Sequence, residues 1–256
     1  MIEPPVAAAI NLHAVLRDLE DLVALDPVAR QIVATARTRV TFRVPGIRPL
    51  SLTFTDGSCT ACARPGPLPA GHTDIQLGFV SPAHVNALIA GKGMPIPLRG
   101  WRGLGFLTKE FTALTGRLEE VLRPAPGAPR SPDDERLATV LTAYAAFFAL
   151  AEVGNLDTLG RANAARMADG AVAVDITGGP GVTLHVRGGQ LNVTKGVAAT
   201  ARARMVFDSL ETAGGILTGE LDAYAAIGDG RLAVSGYIPM LDHMNKLLAI
   251  VARYLA

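Results

Sequence analysis

Residues 207–236 read FDSLETAGGILTGELDAYAAIGDGRLAVSG and predict the end of a strand, two helices and a second strand. Asp208 and Glu211 have the spacing of a capping box, with Asp in place of the usual Ser or Thr, so we expect the first helix to begin there. Gly219 suits the left-handed residue that closes a helix. The segment from Glu220 to Gly230 predicts a second, short helix. With a hairpin upstream and a helix at the C-terminus, this order indicates the α+β fold class.

The chain contains this pattern twice. Val172-Ala-Val174-Asp-Ile176 alternates apolar and other residues at period two, and Val40-Thr-Phe42-Arg-Val44 does the same 132 residues earlier. At that offset the turn Asp56-Gly57 falls on Gly188-Gly189, and both turns supply residues that tolerate positive φ in a tight hairpin. We therefore expect two diverged copies of one α+β unit, each a mostly antiparallel sheet covered by helices.

The two copies differ in one segment. Ile75–Phe79 aligns with Ala203–Phe207 at an offset of 128, whereas Ile96–Gly100 aligns with Leu232–Gly236 at 136, so the first copy lacks 136 − 128 = 8 residues. The missing piece corresponds to much of the short helix. In its place stand residues 92–97, KGMPIP, whose prolines oppose a helix.

Helical sequence precedes each copy, from Ala7 to Arg37 and from Pro132 to Met167. Between the copies, residues 123–132 read RPAPGAPRSP, which is the composition of a linker. We therefore predict a first domain over residues 1–123, a linker over 124–132 and a second domain over 133–256.

The composition limits the function. Of 256 residues 49% are hydrophobic and 18% charged, mean hydropathy is +0.30, and 24 basic side chains balance 23 acidic ones to a net charge of +1. That balance argues against a nucleic-acid partner, which would require a concentrated basic surface. Two cysteines are too few for a disulfide scaffold, and the early acid at the N-terminus is atypical of a signal peptide. We expect a cytoplasmic protein, and its abundant Ala, Arg, Gly and Pro suggest a bacterial one.

The second copy resembles the sterol carrier protein type-2 family. Phe207–Gly219 is similar to the family's strand-then-helix segment, and Arg231–Gly236 resembles its Gly-Lys-Leu-x-Ile-x-Gly strand, with Arg231 replacing Lys. The terminal helix from Met240 to Tyr254 completes the pattern. The first copy is a divergent example, because it lacks the short helix that in this family helps to cover the ligand.

The resemblance implies an apolar tunnel in the second copy that binds a fatty acyl, sterol-like or isoprenoid lipid. Burial of each ligand methylene contributes about 0.8 kcal/mol, so such a ligand needs few polar contacts. Met240 and Met244 are one helical turn apart, and flexible thioethers adapt to irregular ligands. An ordinary packed core is the alternative for each candidate ligand-binding residue. The candidates are Met205, Phe207, Ile216, Leu217, Tyr224, Ile227, Leu232, Met240, Met244 and Leu248.

The first copy has a corresponding cluster, which is a candidate second site. Trp101, the only tryptophan, stands between Arg99 and Arg102. The Trp101 side chain has three possible positions: the mouth of a pocket, a membrane interface, or a packed site beneath the aliphatic stems of the two arginines. The cluster comprises Phe79, Leu88, Trp101, Phe106 and Phe111.

The segment from Leu137 to Ala151 has no charge, and its 15 residues are too few to span a bilayer comfortably. It predicts a helix buried in the protein or in a homodimer interface. The alternative is a helix that contacts a membrane transiently during lipid exchange.

Catalytic and metal-binding alternatives have little support. Cys59-Thr-Ala-Cys62 has the spacing of half a zinc site, but no second pair completes it, and residues i and i+3 of a strand point to opposite faces. Asp242-His243 with Asp222 would be an acid–base group, but a surface position on a helix is the better explanation of His243. We therefore expect no cofactor, no metal and no catalysis.

Three hypotheses remain for the function. The first is a carrier that binds an apolar lipid for transfer or presentation. The second is an accessory or scaffold protein of a lipid or quinone biosynthetic complex, and the third is a small enzyme acting on an apolar substrate in the tunnel.

Overall fold

A computed structural model describes residues 2–125, 127 and 130–255. The chain divides into two compact units, which we call the first unit, Ala7–Leu137, and the second unit, Met1–Val6 with Ala138–Ala256. The predicted boundaries were residues 123 and 132, whereas the compact units divide at residue 137 and assign the N-terminal segment to the second unit. Three residues of the predicted linker, at 126, 128 and 129, lie outside the described residues.

The first unit is built on a five-stranded sheet with the order β3-β2-β1-β4-β5. Neighbouring strands are antiparallel except β1 and β4, which are parallel. The strands are β1 Arg37–Arg43, β2 Leu50–Thr55, β3 Ser58–Cys62, β4 Thr73–Gly78 and β5 Ile96–Arg99.

Helices precede, interrupt and follow this sheet. The N-terminal stretch is α1 Pro4–Ile10, a π-helical turn Asn11–Val15, a 3₁₀ turn Leu16–Asp18, α2 Leu19–Leu25 and α3 Pro27–Ile32. The later elements are α4 Pro82–Ile89, a 3₁₀ turn Trp101–Gly103, α5 Leu104–Phe106, a π-helical turn Leu107–Phe111 and α6 Thr112–Leu122. The chain breaks between α2 and α3 at Asp26, since a residue before proline avoids helical backbone.

The second unit has a sheet of the same order, β10-β9-β6-β7-β8, in which only β6 and β9 are parallel. Its strands are β6 Gly170–Ile176, β7 Val182–Arg187, β8 Gln190–Lys195, β9 Ala203–Phe207 and β10 Leu232–Gly236. Its helices are α7 Pro132–Leu156, α8 Thr158–Ala164, α9 Leu210–Thr218, α10 Ala223–Gly228 and α11 Ile238–Leu255. The predicted fold class is confirmed: the chain is α+β, with two mostly antiparallel sheets and helices.

One helix distinguishes the two units. In the second unit α10 lies between α9 and β10, whereas residues 90–95 of the first unit contain no helix between α4 and β5. This is the difference that the eight missing residues predicted.

Glycines set the turns at matching places. The β2–β3 hairpin turns at Asp56 and Gly57, with φ of 46° and 83°, and the β7–β8 hairpin turns at Gly188 and Gly189, with φ of 55° and 74°. Positive φ at both central residues gives the turn that matches the twist of a hairpin. These are the turns that the sequence predicted.

The N-terminal cap of α9 differs from the expected one. Ser209, not Asp208, is the N-cap, and its hydroxyl accepts a hydrogen bond from the Thr212 amide at 3.1 Å. The helix closes at Gly219 with φ of 80°, as predicted. The spacing from Asp208 to Glu211 fits a capping box, but the serine one residue later holds the extended backbone that a cap requires.

Helix α7 is longer than the uncharged segment alone suggested. It has 25 residues and is, among the described residues, the one helix long and apolar enough to cross a membrane. However, 72% of its most apolar window is buried within the protein. Length and composition alone are weak evidence, because the core helix of a globular protein passes the same test.

Candidate functional site

The apolar face of the second sheet is unevenly covered. On the strands β6, β7 and β8 the inward side chains are buried, as shown by Val172 at 0%, Leu184 at 2% and Leu191 at 4% exposure. On β9 and β10, Met205 and Val234 lie side by side in register with that same face, yet both are only half-buried. The coverage therefore loosens toward the β10 edge.

Three helices line this loosely covered end. Helices α9 and α11 contact β9, and α10 contacts β10. Ile216 and Leu217 on α9 and Leu248 on α11 are half-buried. The end of the sheet and these helices thus bring together apolar side chains that are only half-buried, and we call this partly open region the β9–β10 groove.

The structure brings most of the predicted ligand-binding residues to this end of the unit, at different depths. Phe207 and Leu232 are paired across β9 and β10 and are buried at 4% and 2% exposure. Met240 and Met244 on α11 are completely buried, so they belong to the packed floor. The half-buried members are Met205, Ile216, Leu217 and Leu248.

Helix α10 does not bring its predicted residues inward. Tyr224 is 74% exposed and Ile227 is 39% exposed, while Ala226 is the buried residue of the helix. Asp222 is the N-cap and accepts a hydrogen bond from the Ala225 amide at 2.8 Å. A six-residue helix with one small buried side chain is therefore a thin cover over the groove.

The first unit contains an aromatic cluster on the apolar face of its sheet. The Phe106 ring lies 5.2 Å from that of Phe54, and the Phe111 ring lies 6.1 Å from that of Phe42. Phe106 and Phe111 were predicted, whereas Phe42 and Phe54 were missed. The signal was present, since both occupy apolar positions in alternating strands.

The other predicted members of this second site lie elsewhere. Phe79 is buried at 5% exposure, with its ring edge-on to His84 at 5.3 Å, and Leu88 is half-buried. Trp101 is 66% exposed, so it lies on the surface and outside the aromatic cluster.

Two cavities lie on the opposite, polar faces of the sheets. In the first unit a cavity of about 190 Å³ is lined by Arg39, Arg43 and Asp74, with polar and small residues between them. The Arg39 side chain is buried there and donates to Thr53 Oγ1 and to the Gly66 and Pro67 carbonyls at 3.0–3.1 Å. This cavity was not predicted, because its lining residues come from distant segments of the sequence.

In the second unit an open groove of about 780 Å³ runs past His185, Arg187 and Asn192. These residues alternate with the buried apolar ones along β7 and β8, so this groove also lies on the polar face. Neither cavity is formed by the predicted ligand-binding residues.

The two carboxylates considered for catalysis, Asp222 and Asp242, have structural partners, whereas the buried Nδ1 of His243 accepts or donates no hydrogen bond within the described residues. Asp242 forms an ion pair with Lys246 at 2.6 Å, which holds the pKa of its carboxyl below the usual value through the hydrogen bond from the ammonium group. Cys59 and Cys62 pair in register with Phe54 and Ser51, which lie on opposite faces of the sheet. Within residues 2–125, 127 and 130–255, no three or more His, Cys, Asp or Glu side chains are grouped to hold a metal ion.

A polar network joins the two ends of the second unit. The Glu3 amide donates to the Tyr254 hydroxyl at 3.2 Å, and that hydroxyl donates to Asp157 Oδ2 at 2.7 Å. Glu3 Oε1 accepts from the Thr158 amide at 3.0 Å. Burial and the hydrogen bond to the carboxylate raise the pKa of Tyr254 to about 12. This network explains why the first residues belong to the second unit.

No family model matches the chain, and no curated protein matches it in sequence. Solved structures similar to it include the UbiJ-SCP2 ubiquinone synthesis protein, 17% identical over 40% of this chain and 84% of that chain, with a TM-score of 0.33. A crystal structure of sterol carrier protein 2 is 20% identical over 41% of this chain and 89% of that chain, with a TM-score of 0.33. Sterol carrier proteins are thus among the structures to which this chain is similar, as its sequence predicted.

A likeness of a different kind is to the sec-alkylsulfatase Pisa1 from Pseudomonas sp. It is 14% identical and covers 57% of this chain but only 28% of that chain, with a TM-score of 0.27. This chain therefore spans only a minor part of that enzyme.

Proposed function

We propose that the second unit binds an apolar lipid in the β9–β10 groove and carries or presents it without chemical change. The observation that carries this proposal is the pair Met205 and Val234, which lie on the buried face of the sheet and yet are only half-buried. Native interiors are close-packed, so apolar side chains left half-open under three helices favour a site that a ligand completes.

The groove favours a chain-like apolar ligand. Its half-buried walls are aliphatic or thioether side chains, and burial of each ligand methylene there contributes about 0.8 kcal/mol. Such binding has no directional requirement, which suits an acyl chain, a sterol-like molecule or an isoprenoid tail. Helix α10 buries only one small side chain, Ala226. Because it is held so weakly, its displacement gives such a ligand a route of entry.

The test is organic extraction of the purified full-length protein followed by mass spectrometry. We expect roughly one apolar molecule per chain, or, for a protein purified empty, saturable binding of a fluorescent fatty acid or polyprenyl probe. Met205→Trp and Leu248→Trp should fill the groove and reduce binding by about tenfold or more, since about 1.4 kcal/mol suffices for that factor.

Leu159→Trp is the matched control, because Leu159 is 59% exposed on α8 and contributes nothing to the groove. Circular dichroism must show that all three variants are folded. Equal binding by the groove variants and the control would contradict the proposal, as would a wild-type protein that neither contains nor binds any of these probes.

Transfer and presentation are separated by a second measurement. A carrier should move a fluorescent lipid between vesicles unaided, whereas an accessory protein of a lipid or quinone biosynthetic complex should deliver its ligand only to partner enzymes that co-purify with it. Conversion of the bound ligand by the purified protein alone would replace the proposal with an enzymatic function.

A further inference from the structure

The edge of the first sheet exposes four large apolar side chains within eight residues. The exposed fraction is 82% for Met94, 43% for Ile96, 54% for Leu98 and 66% for Trp101. We call these four residues the 94–101 strip. An extended chain of this length reaches at most about 25 Å, so the four side chains lie within a short stretch of this edge. Single exposed apolar residues are ordinary, but a run of four is not.

The backbone holds this strip in place. His84 accepts a hydrogen bond from the Val80 amide at Nδ1, at 3.3 Å, which leaves its Nε2–H to donate to the Met94 carbonyl at 2.9 Å. Gly100 has φ of 88°, and a Cβ there would lie 2.3 Å from the Asp74 carbonyl oxygen. The strip is therefore anchored to α4 at one end and to β4 at the other.

The charged residues within the sequence of the strip and directly beside it are all basic. No Asp or Glu occurs between Asp74 and Glu110, whereas Lys92, Arg99 and Arg102 stand within or beside the strip. All three cations are exposed. Arg99 forms an ion pair with Asp74 at 3.5 Å and still leaves 71% of its side chain exposed. In a protein of net charge +1, this is a local concentration of positive charge around an apolar surface.

The two prolines of this segment argue against pairing with a second copy. Strand β5 is an edge strand, and an exposed edge can add a strand from another chain. Pro95 and Pro97 have no N–H to donate, so the edge is poorly suited to strand addition. Tryptophan is enriched at the boundary of a bilayer, and long basic side chains extend there to the headgroups.

We propose that the 94–101 strip docks on the surface of an anionic lipid bilayer. Met94, Leu98 and Trp101 enter the boundary of the acyl region, and Lys92, Arg99 and Arg102 contact the acidic headgroups. The proposal concerns the first unit and does not depend on the ligand groove of the second. It assigns the exposed tryptophan to a membrane interface.

Trp101 is the only tryptophan of the chain, so its fluorescence reports on this strip alone. The full-length protein is titrated with vesicles of phosphatidylglycerol and phosphatidylcholine, and in parallel with vesicles of phosphatidylcholine alone. We expect a blue shift and quenching by brominated acyl chains with the anionic vesicles. Binding should weaken as salt is raised, because a Debye length of about 10 Å at 0.1 M salt screens exposed charges.

Two substitutions test the strip directly. Met94→Glu and Arg102→Glu should each reduce partitioning into anionic vesicles by about tenfold, measured by flotation. The first removes an apolar side chain, the second removes a positive charge, and both add a negative charge that the acidic headgroups repel. Leu159→Glu and Arg166→Glu make the same changes at exposed positions of the second unit and should leave partitioning unchanged. Met94 is exposed enough for its variant to fold, and circular dichroism checks this.

Three results would overturn the proposal. The first is that the protein shows neither a blue shift nor flotation with anionic vesicles. The second is that Met94→Glu and Arg102→Glu float as well as the wild type. The third is that the lipid-free protein sediments as a dimer, which Met94→Glu converts to a monomer. The last would assign the strip to a second copy of the chain. Ligand content measured on the same variants keeps a failure here distinct from a failure of the groove proposal, since these changes should not alter it.

Discussion

The β5 edge of the first sheet and the β10 edge of the second have the same backbone and different surfaces. Strand β5 is followed directly by Gly100 with φ of 88°, and β10 ends at Gly236 with φ of 83°, both in the left-handed region. An aromatic residue follows each glycine, Trp101 or Tyr237. In the second unit α10 contacts the edge strand, whereas the first unit has no helix at that place.

The two sheets have the same strand order, and the segment before the edge strand is where the two units differ. Where α10 is present, the apolar side chains beneath the helices remain half-covered and form a groove. In the first unit the aromatic cluster packs on Phe42 of β1 and Phe54 of β2, and large apolar side chains of the β5 edge are exposed. The two sheets follow from the same alternation of apolar and polar residues along their strands. The two units differ in the segment that joins α4 to β5 or α9 to β10, and with it in which apolar side chains are exposed.

The matched glycines provide the strongest test of this equivalence. A Cβ at Gly100 or Gly236 would lie 2.3 or 2.4 Å from a backbone carbonyl oxygen of the neighbouring strand, in addition to the strain of positive φ. We expect Gly100→Val and Gly236→Val each to cost about 4 kcal/mol or more of unfolding free energy. Hydrogen exchange should accelerate in β4 and β5 for the first variant and in β9 and β10 for the second.

Gly219→Ala is the control, because Gly219 has φ of 80° but open space around it. It should cost only about 1–2 kcal/mol, from backbone strain alone. If the two valine variants lost no more stability than this control, the two edges would not share the close approach that makes them equivalent.

A buried histidine distinguishes the first unit by its response to pH. His13 is 6% exposed, and its Nε2 lies 3.0 Å from the Arg48 carbonyl, to which it donates. Burial and the positive charge of Arg48 lower its pKa to about 4. The unfolded chain therefore binds a proton near pH 6.5 that the folded unit does not bind until about pH 4, so stability falls as pH is lowered through this window.

We expect a loss of about 3 kcal/mol between pH 6.5 and pH 4 from this residue, at 1.36 kcal/mol per pKa unit. The measurement is denaturant unfolding followed by Trp101 fluorescence, which reports on the first unit. His13→Gln keeps a donor for the Arg48 carbonyl and removes the titration, so its stability should vary less over the same range. An equally steep decline in this variant would assign the acid sensitivity to other groups.

Local patterns in the sequence were sufficient to predict much of this architecture. The strands follow from alternation, the hairpins from paired turn residues such as Gly188-Gly189, and the absence of a helix before β5 from the change of offset between the copies. Each of these signals lies within a few residues of the element that it predicts. The cap of α9 was misassigned by one residue, because Asp208 and Ser209 are both good caps and only backbone geometry selects between them.

The features that were missed depend on residues far apart in the sequence. Phe42 and Phe54 meet Phe106 and Phe111 only after the sheet and the following turns have formed. The exposure of Tyr224 on α10 depends on how that helix packs, and its six residues are too few for a clear amphipathic period. The N-terminal segment joins the second unit through a hydrogen bond between Glu3 and Tyr254, which no local pattern reveals.

This last contact gives the smallest expected effect and tests the composition of the second unit. Tyr254→Phe removes the hydroxyl that accepts from the Glu3 amide and donates to Asp157, and we expect a cost of about 1–2 kcal/mol below pH 10. In the wild type the raised pKa of Tyr254, about 12, means that this contribution is present below pH 10 and declines as pH rises toward 12. Tyr224→Phe, at a 74% exposed tyrosine, is the matched control and should have almost no effect on stability.

Hydrogen exchange at the Glu3 and Thr158 amides decides the outcome. Faster exchange in Tyr254→Phe alone would show that the network joins the N-terminal segment to the second unit. Unchanged exchange would show that other contacts hold the segment there.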